Sequence, residues 1–405
     1  MRILYIVFAE CMQSLATLDV FSPMIYLAKH GHLVYIVCCN DGSNPRVLNK
    51  GGNLTVYPQL PPIQRRKHLF DEALLYFLLI PEVVRLTELI KRVRPDVILC
   101  DSSYSLPVLG YLLSKLYKIP IIIIHRELLL ESMYYFGKTN TFFKLAIFGL
   151  MKLNHSIFKR IVWNVAISNS IAYFLNYFCQ LKKKIDVINL LCLDTKEVSL
   201  DPKEVMVRYS PLKTDEHTCT ILYAGSLDPI RRIDQLINAF VDINKQYPDT
   251  KLIIVGKTTT SQNSVLKKID SLSVENKASI YFLGFLPRKD VLALIAASDI
   301  CVEPYPKTVW TPSGKLIEYM TLGKCCIASD TLPNRLIIQH GVTGLLFEKN
   351  NADDLKTKLL QAISSTEFRE RLGKNASLFA KKHFDFEEIG QIFEQYIVEA
   401  LLSTR

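Results

Sequence analysis

Short apolar runs rich in Val and Ile alternate along this chain with longer stretches whose apolar residues recur every three to four positions. The short runs read as buried strands and the longer ones as helices, and their alternation predicts βαβ units that build parallel sheets. In the first half, strands are expected at 3–8, 34–38, 54–57, 97–100, 121–124, 162–167 and 186–188, with helices near 21–30, 69–93, 106–117, 141–159 and 170–179. The second half repeats the rhythm, with strands at 220–224, 252–255, 279–282, 300–302, 325–328 and 345–347. Its helices fall near 233–247, 265–271, 288–296, 315–322, 353–363 and 367–382.

Between the halves, 201–218 is charged, holds Pro202 and Pro211 and lacks periodicity, so it reads as a linker. The expected fold class is therefore α/β, with two Rossmann-like doubly wound domains. The first spans 1–200, the second 219–382, and 383–405 reads as a helix crossing back to the first. A length of 405 residues suits two cores better than one. Doubly wound domains bind ligands beyond the carboxyl ends of their strands, which places the chemistry in a cleft between them. Many functions share that layout, and only the residues at those strand ends choose among them.

Composition narrows the field. With 49% apolar and 22% charged residues the chain is that of a packed globular protein. The ten cysteines lack metal-site spacing, and the adjacent pairs Cys38–Cys39 and Cys325–Cys326 lie in apolar strands, so they read as reduced core residues. No apolar run reaches the ~20 residues that cross a bilayer, and the first residues do not form a signal-peptide core. The expected location is cytoplasmic. The net charge of +10 is uneven: the 54 residues 132–185 hold no Asp or Glu but carry eight Lys or Arg. Among 141–160 these alternate with Phe, Leu and Ile, giving a basic, strongly apolar helix suited to the inner face of an anionic membrane, or one packed on its own domain with solvated lysines.

The turn after the first strand reads IVFAECMQS and the second domain opens with AGSLDPIRR, so neither carries the G-x-G-x-x-G of dinucleotide binding, and no P-loop lysine motif occurs. No nucleic-acid-binding motif accounts for the positive charge. What the second domain does offer is LYAGSLDPIRRID at 222–234: a strand, Gly225, a short loop, then Arg231 and Arg232 before a helix. A guanidinium and a helix N-terminus at one strand end converge on a diphosphate; the plain alternative, a solvated surface charge, applies to Arg232 more than to Arg231.

This stretch resembles glycosyltransferase family 4, and the segments YFLGFLPRKDVLALIAASDICVEPY, TPSGKLIEYMTLGKCCIASD and GVTGLLF follow in that family's order and spacing. Length, two-domain rhythm, AISNSIAYFL at 166–175 and the closing HFDFEEI fit as well. The resemblance implies the two-domain fold called GT-B, with the acceptor in the first domain and a nucleotide-sugar donor in the second. Within TPSGKLIEYM it implies that Glu318 holds the nucleotide ribose while Lys315, one turn earlier, meets phosphate; the plain alternative is a surface ion pair between the two. Arg231 falls on the family's basic position. Donor contacts are further implied for Gly225, Ser226, Arg232, Gly256, Phe285 and Leu286, and for Ser313, Gly314 and Leu316. The glycines could instead serve tight turns.

In the first domain, His125 ends the IIIIH strand, where the family has a histidine facing the cleft, although a lone histidine after an apolar strand can also be a satisfied turn residue; Glu10 and Ser14, in a loop that lacks the family's glycines, are the implied acceptor contacts. Many members carry a glutamate eight positions before Glu318, where this chain has Trp310. The implied function is a retaining, metal-independent glycosyltransferase without cofactor. It would act on a hydroxyl acceptor, lipid-linked in cell-surface polysaccharide synthesis. A non-catalytic subunit that keeps nucleotide-sugar binding is the alternative that Trp310 keeps open.

Overall fold

The computed structural model describes residues 1–10, 18–39, 46–47, 52–60, 79–136, 141–181, 185–209, 218–257, 264–306 and 310–403. These divide into two compact units, 1–192 with 386–405, and 193–385. The helix Phe386–Leu402 thus groups with the first unit. Part of the stretch read as a linker is ordered: Asp201 caps a helix at Pro202–Arg208 by accepting from the Lys203 amide, and it belongs to the second unit.

In the first unit, the strands are β1 (Arg2–Glu10), β2 (Leu33–Cys39), β3 (Arg46–Val47), β4 (Leu54–Leu60), β5 (Val97–Asp101), β6 (Ile121–His125), β7 (Asn164–Ala166) and β8 (Asp186–Val187). They form one sheet in the order β3-β4-β2-β1-β5-β6-β7-β8. All the pairings are parallel except β3 with β4, a two-residue antiparallel edge that the hydrophobic pattern does not announce. Three helices matter later: α1 (Leu129–Phe136), α2 (Thr141–Arg160) and α3 (Asn169–Cys179).

The second unit is a fully parallel sheet of β9 (Cys219–Ala224), β10 (Thr250–Val255), β11 (Ile280–Gly284), β12 (Ile300–Glu303), β13 (Cys325–Ser329) and β14 (Leu345–Phe347), ordered β11-β10-β9-β12-β13-β14. Its central strands are buried along their whole length, as apolar runs covered on both faces must be. The helix α4 (Ile233–Asn244) shows why the 3.6-residue period was readable: Ile233, Leu236, Ile237, Phe240 and Ile243 form one buried stripe on the sheet. Order reverses between β9 and β12, so the carboxyl ends of these neighbours flank the switch point of the sheet. Helix α6 (Gly314–Thr321) follows the end of β12, and helix α5 (Arg288–Ala297) follows the end of β11, two strands away from β9.

Eight cysteines, among them Cys301, Cys325 and Cys326, are free and buried, as apolar strand residues should be. Cys38 departs from that expectation: it is disulfide-bonded. No helix among the described residues is long and apolar enough to cross a membrane.

Candidate functional site

At the end of β9, Gly225 and the neighbouring Gly256 of β10 are fixed by space and backbone angle together. Both have positive φ, 152° and 147°. A Cβ on Gly256 would run into the Gly225 carbonyl oxygen, and one on Gly225 would strike the end of the Lys315 side chain. The glycines therefore let two strand ends and a lysine crowd together. Beyond Gly225 the chain turns through Ser226, whose hydroxyl meets Asp228 at 2.5 Å while its carbonyl accepts from the Tyr223 hydroxyl at 2.6 Å. A short 3-10 turn, Pro229–Arg231, then lays the Arg231 guanidinium over the Tyr305 ring, 4.1 Å from its centroid.

Lys315 enters from the first turn of α6. Its Nζ lies 3.1 Å from Glu303 Oε2, 3.3 Å from the Tyr223 hydroxyl and 4.7 Å from the centre of the Tyr223 ring. Burial pulls the Lys315 pKa below the usual lysine range, and Glu303 is the strongest influence opposing that fall. For Arg231 burial acts in the same downward sense, but Glu303 and the neighbouring tyrosines outweigh it and hold its pKa above the ordinary arginine value. Ser313 precedes α6 in an extended conformation, yet its hydroxyl does not cap the helix; it donates to Glu303 Oε2 at 3.1 Å. The first-turn amides of α6 are thus left without a side-chain cap, in a place where backbone N–H groups favour an anion.

Glu318 is one turn further on and almost fully buried. It does not pair with Lys315. Arg288 Nη1, from the start of α5, donates to Glu318 Oε1 at 2.7 Å, and Arg288 Nε donates to Glu197 Oε2 at 2.8 Å. Burial raises the Glu318 pKa and Arg288 works against it. The ion pair between Lys315 and Glu318 that spacing allows is replaced by two pairs reaching out of the helix, one to β12 and one to α5.

Other expected contacts divide. Phe285 is exposed just past β11, with the Lys257 ammonium 5.2 Å from its ring centre, and Leu286 is partly covered beside it. Gly314 opens α6. Leu316 is wholly buried and its amide is bonded to the Ser313 carbonyl, so it serves the core. Arg232, with a left-handed φ of 56°, donates to Asp234 and Asn350. Two residues went unnamed as site residues from sequence: Glu303, a carboxylate ending a strand that is otherwise apolar, and Arg288, which clamps Glu318.

In the first unit, His125 departs from the expectation of facing open space. It is fully buried, its Nε2 pairs with Asn164 Oδ1 at 3.1 Å and its ring stands edge-on to Phe158 of α2. Burial takes its pKa down to about 4, so the ring is neutral at physiological pH. Glu10 closes β1, paired in register with Cys39, and Ser14 lies outside the described residues.

A parallel sheet with a switch point, and glycines, Arg231 and Lys315 near the ends of its strands, define a doubly wound α/β protein. Comparison with known proteins gives the class its family. The model described as "Glycosyl transferases group 1" matches 210–379 and that of "Glycosyltransferase Family 4" matches 24–190. The chain belongs to the group 1 glycosyl transferases of family 4. An uncharacterized glycosyltransferase of Methanocaldococcus jannaschii is 25% identical over 259 residues, 63% of this chain and 64% of that one. The match thus spans less than two thirds of that relative's own length. Among solved structures, a sucrose-phosphate synthase from Thermosynechococcus elongatus superposes with a TM-score of 0.75 at 16% identity, covering 99% of each chain. The Anabaena protein HepE, solved in complex with UDP and glucose, gives a TM-score of 0.70 at 16% identity over 98% of this chain and 100% of that one. The fold is that of the two-domain GT-B glycosyltransferases.

Proposed function

We propose that this chain is a retaining, metal-independent glycosyltransferase, which moves a sugar from a nucleoside diphosphate bound by the second unit to a hydroxyl acceptor bound by the first. The observation that carries the reading is the convergence of Arg231, Lys315 and the uncapped start of α6 beside Gly225. A diphosphate leaving group develops negative charge as its bond to the anomeric carbon breaks, and fixed cations in a partly buried site stabilise that charge without reorganising. The acceptor oxygen then bonds to the same face of the anomeric carbon and its proton passes to the departing phosphate oxygen. This retains configuration and needs neither a metal nor a protein base. In this reading Glu318, steadied by Arg288, accepts from the ribose hydroxyls, and exposed Phe285 offers a face to the base. HepE of Anabaena, which shares the fold, was solved with UDP, which favours a uridine donor as the first to try.

Arg231→Ala and Glu318→Ala should each lower turnover by roughly tenfold or more, the scale of one lost transition-state contact, with the protein still folded at the assay temperature by circular dichroism. Release of nucleoside diphosphate from a panel of nucleotide sugars is the measurement, with a chelator expected to change it little. Normal rates in both variants would overturn the assignment. Donor binding without any release, in the wild type, would favour the non-catalytic subunit that Trp310 leaves as the competing reading.

The acceptor we propose is lipid-linked, presented at the cytoplasmic face of an anionic membrane. Support comes from three helices of the first unit. Tyr135 of α1 and Phe174 and Phe178 of α3 pack as linked rings, and Tyr173 and Tyr177 of α3 stack in parallel, 75% and 68% exposed. On α2, Leu145 and Leu153 are exposed among Lys144 and Lys152, and the Lys152 ammonium sits 5.3 Å from the Phe148 ring centre. Aromatic rings and lysines together, with no acid in 132–185, suit the boundary between lipid headgroups and acyl chains.

A further inference from the structure

Glu303 has no part in the chemistry proposed above, yet it is the residue on which the cations of the donor site converge. It ends β12 with its side chain fully buried. One oxygen, Oε2, takes both the Lys315 ammonium and the Ser313 hydroxyl at 3.1 Å; the other, Oε1, has no hydrogen-bond partner among the described residues. A buried carboxylate with half of its hydrogen-bonding capacity unmet is costly, and a hydrophobic residue would complete the strand ICVE better. Such a group is retained for what it does to its neighbour. Here that neighbour is a lysine whose side chain is only 18% exposed, where burial disfavours an unpaired ammonium.

We infer that Glu303 is a positioning residue for the proposed donor site: from the end of β12 it keeps the Lys315 ammonium charged and directed beside Gly225, ready to meet a diphosphate. The inference rests on the reading of this site as a diphosphate site. The groups facing Lys315 set its balance. Tyr223 of β9 bonds to it, Arg231 from the turn after β9 repels it, Glu318 on its own helix attracts it weakly, and Glu303 is the strongest attraction it has. Glu303→Gln preserves volume and an acceptor oxygen but removes the charge. The lysine should then lose its proton at a lower pH, and diphosphate affinity should fall as pH rises through a range where the wild type holds steady.

Trace acetylation of lysines across about pH 7 to 11, read by peptide mass spectrometry, follows the proton on Lys315 without any ligand. Its midpoint should drop by about one pH unit or more in Glu303→Gln and stay close to wild type in Glu303→Asp, which keeps the charge, with other lysines unmoved. An unchanged midpoint in Glu303→Gln would overturn the inference. Binding of UDP, measured by calorimetry at about pH 7.5 and about pH 9, should weaken about tenfold in that variant and little in the wild type. Parallel pH profiles in the two proteins would count against it. Should UDP and other nucleoside diphosphates fail to bind the wild type, the donor reading fails, while the acetylation midpoint still decides whether Glu303 governs Lys315.

Discussion

Charged residues gather at the carboxyl ends of strands in both sheets, but the two units treat them differently. In the first, Asp101 at the end of β5 is fully buried and spends both oxygens: Oδ1 accepts from the Ser103 amide and hydroxyl at 3.0 and 2.9 Å, and Oδ2 from Arg126 Nε at 2.9 Å. His125, one strand over, is equally enclosed and bonds to Asn164 of β7. In the second, Glu303 holds Lys315 with one oxygen only, while Arg231 lies over the Tyr305 ring and feels Glu303 without a direct ion pair to it. The first arrangement is closed and neutral, and its charges hold the strand ends together. The second gathers Arg231 and Lys315 around a carboxylate that has used one oxygen of two. One α/β architecture therefore carries two kinds of strand-end carboxylate: one with both oxygens used, and one with an oxygen left over beside a lysine, which the proposed donor site draws on.

The sharpest way to break this contrast is to open the closed pair. Asp101→Asn removes the fully buried carboxylate that meets Arg126 Nε, and should cost about 3 kcal/mol of stability in urea unfolding. A loss well under about 1 kcal/mol would mean that the pair is solvent-screened and the two units are alike after all. The next effect belongs to His125. Its folded pKa, about 4, is depressed below the ordinary value of 6.5, so the unfolded chain binds a proton that the folded one refuses. The native state is favoured fully above about pH 6.5 and loses that advantage as pH falls towards about 4, by up to about 3 kcal/mol. His125→Gln, which can keep a bond to Asn164, should flatten this part of the stability profile. A histidine that instead served an open site would leave the slope of the wild type unchanged by the substitution and reduce turnover.

The rhythm of strands and helices was legible because each element buries a whole apolar run or stripe, and that requirement is written locally, as α4 illustrates. The elements it hid are those whose reason is not local. The edge strand Arg46–Val47 exists only by pairing with β4, and the helix Pro202–Arg208 sits in a stretch whose charge and prolines look like a linker. The same holds in the site. Lys315 and Glu318 stood out through their spacing at a helix start, but that spacing suggests they pair with each other. Their true partners, Glu303 and Arg288, lie 12 and 30 residues away in sequence and are brought in by the β12 end and the start of α5. A signal for Glu303 was present all the same: a carboxylate closing the apolar run ICVE must find a cation, and the next basic residues are Lys307 and Lys315. For His125 the apolar run before it was the better guide, since a residue that ends a strand buried along its whole length is more easily enclosed than presented.

A smaller effect tests whether the first unit meets a lipid surface through α2 and α3. Anionic vesicles of phosphatidylglycerol should pellet the protein at low ionic strength and release it as salt rises, because the Debye length shrinks to ~10 Å at 0.1 M. Lys144→Ser with Lys152→Ser removes two exposed charges at about 1 kcal/mol each near such a surface, so partitioning should drop by tenfold or more. Tyr173→Ser with Tyr177→Ser should weaken it by a smaller factor, on the order of threefold, since the stacked rings already shield part of each other. That second loss should persist in high salt, where the first disappears, because it comes from apolar contact and not from charge. Vesicles that fail to bind the wild type at low salt would remove the lipid surface from the proposal and leave these rings to an acceptor of another kind.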